Sequence, residues 1–422
     1  MRNRIKALKN RLSANKDGKA LASNFGYLMI MQIAGYIFPL LTIPYLARVI
    51  GVDGFGKIAF AAAVIVWFQT ITDWGFSYTA TRDVARNRGN LEKISEIFSN
   101  VLWAKSLLAL ISFIILFILT EFIPYLKDNQ TLLFITFMLV PAKILFADWF
   151  FQAIEKMKFI TIFDLISKAI FTACIFLFIK EKSDFILQPL FLSLGSILVG
   201  IVSFYLILFK WKVKIIAPKG KEIILTINNS KDVFINNIVP NLYNSFSSVL
   251  LGFWGGNIAN GLLDAGSKFA NIAQQFINIL SRVFFPFLSR RSDKHSIYEK
   301  INILITMISA ILLIILAPFI IKIFFTPEFY DATLVLQIIA FSLIFQGLIS
   351  TYGLNYMIIQ GYEKSLRNIT IVSSIIGFIV CFPLIYFYSF LGAAITITLT
   401  RAILGLSIMF KAKYIQRGIS VK

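Results

Sequence analysis

The sequence predicts an all-α polytopic membrane protein: twelve transmembrane helices in two pseudo-symmetric six-helix bundles, with both termini on the cytoplasmic side. Three observations carry this expectation. Hydrophobic residues make up 58% of the 422 residues and charged residues only 15%, with a mean hydropathy of +0.79. No soluble chain of this size could hide so much apolar surface. Runs such as "LLALISFIILFILT" and "ILITMISAILLIILAPFIIKIFF" approach or exceed the roughly 20 residues that cross a bilayer. Third, the positive charges alternate in density between successive connections.

Hydropathy places the spans near 23–48, 58–80, 98–120, 131–152, 159–179, 185–209, 233–254, 262–288, 301–325, 332–359, 367–387 and 391–411. With the N-terminus inside, the inside segments hold 29 of the 41 Lys and Arg residues. The outside ends and loops hold 6: Arg48, Lys57, Lys127, Lys180, Lys182 and Lys322. The net charge of +20 therefore reflects topology, and nucleic-acid binding is the weaker explanation. Residues 1–21 are basic, with Ile5, Leu8 and Leu12 at helical spacing, as expected of a helix lying on an anionic leaflet. The apolar stretch that follows is too long, and too rich in proline, for a cleaved signal peptide. Residues 22–209 and 233–411 form the two halves. A basic linker, 210–232, joins them, and 412–422 is a cytoplasmic tail. Prolines at 39, 44, 141, 240, 286, 318 and 383 fall within spans and predict kinks.

Gly51, Gly56 and Lys57 spell the frame of a phosphate-binding loop, G-x-x-x-x-G-K. Position 58 is Ile where magnesium needs Ser or Thr, no buried strand precedes it, and the predicted side is the outside. It reads as a tight glycine-rich turn. "GGNIANG" after the seventh span echoes "GVDGFGK" after the first. Both halves start inside, so an axis along the membrane normal would relate them. Cys174 and Cys381 sit in apolar spans with no C-x-x-C partner and read as buried thiols. His295, in "SRRSDKHSIYEK", reads as a solvated loop residue. No metal site, cofactor or enzymatic constellation is expected.

Intramembrane polar residues carry the functional signal. In span eight, Asp264, Lys268, Asn271, Gln275, Asn278 and Arg282 share a stripe about 80° wide at ~100° per residue, running about 27 Å along the helix. Either a polar seam between helices or a transport pathway would use such a stripe. Its net positive charge favours an anionic cargo. Span seven adds Asn237, Asn241, Asn244 and Ser248 on one face, where amides and hydroxyls suit sugar hydroxyls or interhelical bonds. The first half adds Lys143 and Asp148, the i,i+4 pair Asp164 and Lys168, Gln69 with Asp73, and Lys105. Arg401 lies mid-span twelve. Together these predict a hydrated, largely cationic cavity. Asp73 and Asp264 are candidates for carrying a coupling ion, and Asp164 and Asp148 for coupling or charge pairing.

"PLLTIPYLARVIGVDGFGKIAFA" resembles the first-span signature of Wzx-type O-antigen flippases. These form the polysaccharide-transporter branch of the multidrug/oligosaccharidyl-lipid/polysaccharide exporter superfamily. "DWGFSYTATRDVARNR" and "YMIIQGYEKSLRN" are similar to the second-span end and tenth-span end of that family. The resemblance implies a V-shaped pair of bundles in the bacterial inner membrane. It implies alternating-access flipping of an undecaprenyl-diphosphate-linked glycan from cytoplasm to periplasm, with a polymerase and a chain-length regulator as further partners. Arg48 and the turn residues Asp53, Gly54 and Gly56 are carried over with the motif. O-antigen, capsule and enterobacterial common antigen repeat units all fit.

Rival readings divide by charge and loop length. A multidrug exporter of the same superfamily would favour acidic cavities. A lipid II flippase often carries extra spans. A polymerase or ligase enzyme needs a sizeable outside loop, and the outside connections here are short.

Overall fold

The computed structural model describes residues 2–419, with side chains described over 23–417 apart from positions 25, 286 and 292. The expected surface-lying face of residues 1–21 is outside those described side chains. Every regular element is helical. In chain order these are α1 Arg2–Asp73, α2 Phe76–Arg86, α3 Leu91–Phe122, α4 Pro124–Asp128, α5 Gln130–Phe137, α6 Leu139–Leu145 and α7 Asp148–Ala153. Then follow α8 Met157–Phe178, α9 Leu187–Phe209, α10 Gly220–Ile238, α11 Ser245–Arg290, α12 His295–Phe324, α13 Ala332–Leu348 and α14 Glu363–Ile419. Among the described residues, eight helices are long and apolar enough to cross a membrane. Lipid supplies no partners for backbone groups, so helices are one of its two spanning solutions. This is a multi-pass membrane protein.

Three of the long helices are each two helices meeting at a kink. α1 bends at Gly51 (φ 65°, ψ −176°), α11 at Gly256 (φ 74°, ψ −170°) and α14 at Ser389 (φ 49°, ψ −126°). Gly51 and Gly256 adopt nearly the same left-handed conformation, which glycine enters without a Cβ penalty. They open the two turns that echo one another in sequence.

These bends gather at one end of the molecule. There Asn257 donates to Asp53 (3.0 Å) and accepts from Tyr125 (2.9 Å). The Val52 amide reaches Glu328 (3.3 Å), and Lys182 lies 4.0 Å from the same carboxylate. A Cβ on Gly255 would meet Ser389 Oγ at 2.9 Å. Beneath this kink end, a hydrophobic core joins Ile43, Leu46 and Phe55 of α1 to α11, α12, α13 and α14. A second core, around Phe98, Phe150 and Phe151, holds α3, α7, α8 and α9 together in the first half.

Four elements differ from the sequence expectations. The linker expected over 210–232 is non-helical only up to residue 219, and α10 begins at Gly220. The charged residues of this stretch mask an amphipathic helix whose Ile223, Ile227 and Ser230 turn inward. Span seven is interrupted by a 3-10 turn, Val239–Leu242, begun by Pro240, which lacks an amide hydrogen. The expected fourth span is divided into α5, α6 and α7, with a break at Phe146 and Ala147. Finally, His295 is no solvated loop residue. It is 6% exposed, and its Nε2 lies 3.1 Å from the Thr351 carbonyl. That carbonyl belongs to a π-helical stretch, Ile349–Ile358, and Tyr298, Tyr352 and Tyr356 surround the ring.

Candidate transport pathway

Three adjoining cavities run through the molecule below the kink end. The first, about 380 Å³, lies among α1, α8, α9 and α11 and is walled by Tyr36, Phe38, Pro39 and Ile43. Its polar lining is Lys168, Gln188, Asp264, Lys268, Asn271 and Gln275. The second, about 510 Å³, is central and holds Asn244, Ser248, Ser267 and Arg401 besides Asp264, Lys268 and Asn271, which it shares with the first. The third, about 660 Å³, lies within the first half. It shares Val66 and Leu139 with the central cavity, and Asp73, Lys105, Lys143, Asp148, Asp164 and Asn237 face it. Three neighbouring cavities with polar linings therefore lie between an apolar flank and the interior of the first half.

The helical stripe of span eight enters these cavities only in part. Asp264, Lys268, Asn271 and Gln275 line them, whereas Asn278 and Arg282 are not among the lining residues. The asparagine stripe of span seven divides, because the 3-10 turn breaks the register on which the single face rests. Asn237 faces the first-half cavity and Asn244 the central one. Asn241 donates to Thr70 of α1 (3.0 Å). Arg48 is exposed and lines none of the three cavities; the buried side of that helix turn belongs to Ala47 and Ile50. Asp53 and Gly54 border a separate cavity of about 540 Å³ at the kink end.

Charge is less one-sided than composition suggests. Lys105 pairs with Asp73 and Lys268 with Asp264, both at 2.8 Å. Lys168 pairs with Asp164 at 2.5 Å. Three carboxylates and two ammonium groups line the first-half cavity, so the expectation of a largely cationic interior is corrected there. The non-local pair Asp73–Lys105 offsets charges that stand alone in the sequence.

Arg401 is different. It is 6% exposed, its Nη1 donates to Ser342 Oγ at 2.9 Å, and Tyr243 lies against it. Among the described residues it has no carboxylate partner within 4.0 Å. A guanidinium held away from water without a counter-charge is costly, and it strongly favours an anion. Sequence reading missed Gln188, Ser167, Ser196 and Ser267, since a lone amide or hydroxyl carries no charge cost to flag it. Among the described residues no group of three or more His, Cys, Asp or Glu side chains could hold a metal ion.

At the kink end the two halves meet backbone to backbone. A Cβ on Gly56 would stand 1.7 Å from the Asn257 carbonyl oxygen, and one on Gly261 2.3 Å from that of Val52. The two contacts are reciprocal: Val52 and Asn257 each follow a kink glycine, and Gly56 and Gly261 each lie five residues beyond it. Asp53 caps this seal. Burial raises its carboxyl pKa, but hydrogen bonds from Lys57 and Asn257 and the charges of Lys57 and Lys182 outweigh that and hold it below the ordinary value.

Residues 21–292 match the family described as "Polysaccharide biosynthesis protein". The chain belongs to this family. It is 26% identical over 405 residues to an Escherichia coli (strain K12) protein named "Putative O-antigen transporter", covering 94% of this chain and 98% of that one. A protein of the same name from Shigella dysenteriae is 28% identical over 400 residues, covering 93% and 100%. In fold the chain is similar to the lipid II flippase MurJ in an inward closed conformation. The TM-score is 0.77 at 18% identity, over 93% of this chain and 87% of that one. An inward-facing multidrug resistance transporter of the MATE family gives a TM-score of 0.64 at 14% identity, over 90% and 96%. The chain thus shares its fold with both of these transporters.

Proposed function

We propose that this chain is a flippase for undecaprenyl-diphosphate-linked oligosaccharide repeat units, moving them from the cytoplasmic to the periplasmic leaflet of the bacterial inner membrane by alternating access. The observation that carries the reading is Arg401, a buried cation without a carboxylate partner among the described residues, facing a central cavity beside Lys268. A diphosphate headgroup supplies the missing counter-charge. The apolar flank of the first cavity suits a polyprenyl tail that stays in lipid. The names of the relatives support the same cargo class, and no enzymatic step is needed. A cationic drug would be repelled by Arg401, which disfavours a multidrug exporter.

The twelve-span topology belongs to this reading. The three kinked segments each count as two crossings, and every odd-to-even connection contributes to the kink end. With basic loops inside, that sealed end is periplasmic and the cavities belong to a cytoplasm-facing state. Transport would draw on an ion gradient. Asp73, Asp164 and Asp264 sit in lysine pairs, so a coupling proton on any of them would have to break an ion pair.

The test is complementation of a strain lacking the gene. Wild type restores the surface-polysaccharide ladder, and Arg401→Gln at equal membrane abundance restores less than a tenth of it. A charged hydrogen bond of about 1.5–3 kcal/mol predicts a loss of roughly tenfold to hundredfold. Full restoration by Arg401→Gln overturns the anion-site argument. An intact ladder in the deletion strain overturns the function.

A further inference from the structure

The cavity within the first half is unlike the central one, and its chemistry points to a different part of the cargo. Its ionisable groups nearly cancel: Lys105 is committed to Asp73, and Asp164 to Lys168. A site with so little net charge exerts little pull on a phosphate. Two opposite charges remain uncommitted among the described residues. Lys143 Nζ has only the Gln69 amide oxygen, at 3.3 Å. Asp148 accepts only from the neighbouring Trp149 amide, at 2.8 Å. They flank the Phe146–Ala147 break, where span four unwinds against α9. A Cβ on Gly200 would meet Leu145 Cβ at 2.9 Å and the Ala142 carbonyl at 3.1 Å there. Broken membrane helices lining a cavity are a recurrent way to build a binding site.

The rest of the wall adds hydroxyls and amides, from Ser167, Ser196 and Asn237, and the rings of Phe146 and Phe163. Interleaved donors and acceptors beside aromatic faces match an uncharged polyhydroxylated ligand. A carboxylate accepts from sugar hydroxyls and an ammonium donates to them, each bond charge-assisted. The volume, about 660 Å³, is within the range of small-ligand sites. Val66 and Leu139 wall both this cavity and the central one, so the space next to a ligand anchored at Arg401 is this one.

We propose that the first-half cavity is a saccharide subsite, in which Lys143 and Asp148 hydrogen-bond the sugar hydroxyls of a cargo whose diphosphate is held at Arg401. This rests on the flippase reading and adds where the glycan binds. It assigns headgroup affinity and glycan selectivity to separate residues.

The experiment is equilibrium binding to the full-length chain in lipid nanodiscs, with two probes. One is undecaprenyl diphosphate; the other is the same lipid carrying the host's repeat unit. Lys143→Met and Asp148→Asn are each expected to weaken binding of the glycosylated lipid at least tenfold and to leave the bare lipid within twofold. Arg401→Gln weakens both. Should either cavity variant fail to fold, Ser167→Ala/Ser196→Ala gives the same reading with a loss of a few-fold. Equal weakening of both probes, or of neither, overturns the subsite. Failure of the wild type to bind either probe overturns the flippase reading itself, and the subsite with it.

Discussion

Asp264 and Lys268 sit one helical turn apart at the junction of two cavities, each about one-third exposed. Their pairing changes what a substitution there means. Lys268→Met leaves Asp264 facing the anion pathway without its counter-charge, and so repels the cargo twice over. The double variant Asp264→Asn/Lys268→Met removes both charges. We expect the single variant to lose transport several-fold more than the double, read as repeat-unit flipping in inverted vesicles; equal losses would mean that the Asp264 charge does not act on the cargo once Lys268 is gone. Such i,i+4 pairs are legible in a sequence, because helix geometry alone brings them together. Asp73–Lys105 is not, since it joins two helices. Nor is the burial of His295, which depends on a carbonyl and three tyrosines more than fifty residues away or on the facing turn. Arg401 is visible as a mid-span charge, but that its partner is the Ser342 hydroxyl, with no carboxylate within 4.0 Å among the described residues, emerges only from the packing of α13 and α14.

At the scale of elements, the connection between the halves behaves as part of the first half. Ser95, Ser99 and Trp103 follow one face of α3 at four-residue intervals and bind the non-helical segment that follows α9. The Lys214 amide donates to Ser95 Oγ (3.0 Å), the Ile216 amide to Ser99 Oγ (2.9 Å), and Trp103 Nε1 to the Ile216 carbonyl (2.9 Å). α10 continues the attachment, through Thr79–Ser230 (2.8 Å) and Trp74 stacked on Phe234 at 3.9 Å. The first break in regular α-helix after the linker is therefore the 3-10 turn at Pro240. Ser95→Ala/Ser99→Ala should speed amide exchange at Lys214 and Ile216. At about 1 kcal/mol per bond the expected change is roughly fivefold at each, measured by hydrogen–deuterium exchange. Unchanged exchange would show that the segment is held by other contacts. Hydropathy marks apolar spans well, so the long helices were legible; it misreads an amphipathic helix with lysines on one face, so α10 was not. The break in span four was hidden too: Lys143 and Asp148 flank it as visible charges, but hydropathy averaged over a whole span does not mark a change of backbone at Phe146 and Ala147.

For the whole molecule, the proposed alternating access turns on an equilibrium between a sealed and an open kink end, and two kinds of contact hold the seal. One is steric, the reciprocal approach of Gly56 and Gly261 to the opposite backbone. The other is polar and partly exposed, Asp53 with Lys57 and Asn257. Partly exposed ion pairs contribute little, whereas overpacking a close contact costs about 1–3 kcal/mol or more. Gly56→Ala and Gly261→Ala should therefore each shift the population away from the sealed state, roughly fivefold to a hundredfold, while Gly89→Ala, with no atom within 4 Å of its Cβ, leaves it unchanged. Cross-linking between Asp53→Cys and Asn257→Cys reads the sealed population, and unaltered yield in the glycine variants would sink the argument. The pH dependence follows from the same division. The sealed-state pKa of Asp53 lies below its ordinary value, so its contribution is complete above about pH 4 and fades only as pH falls through the lowered pKa. Closure measured by distances between spin labels on either side of the seal, with Asp53 intact, should stay flat from pH 8 to pH 5. A transition inside that window would require a different titrating group at the seal. A flat profile means that any proton coupling acts deeper in the pathway, where the carboxylates sit beside lysines.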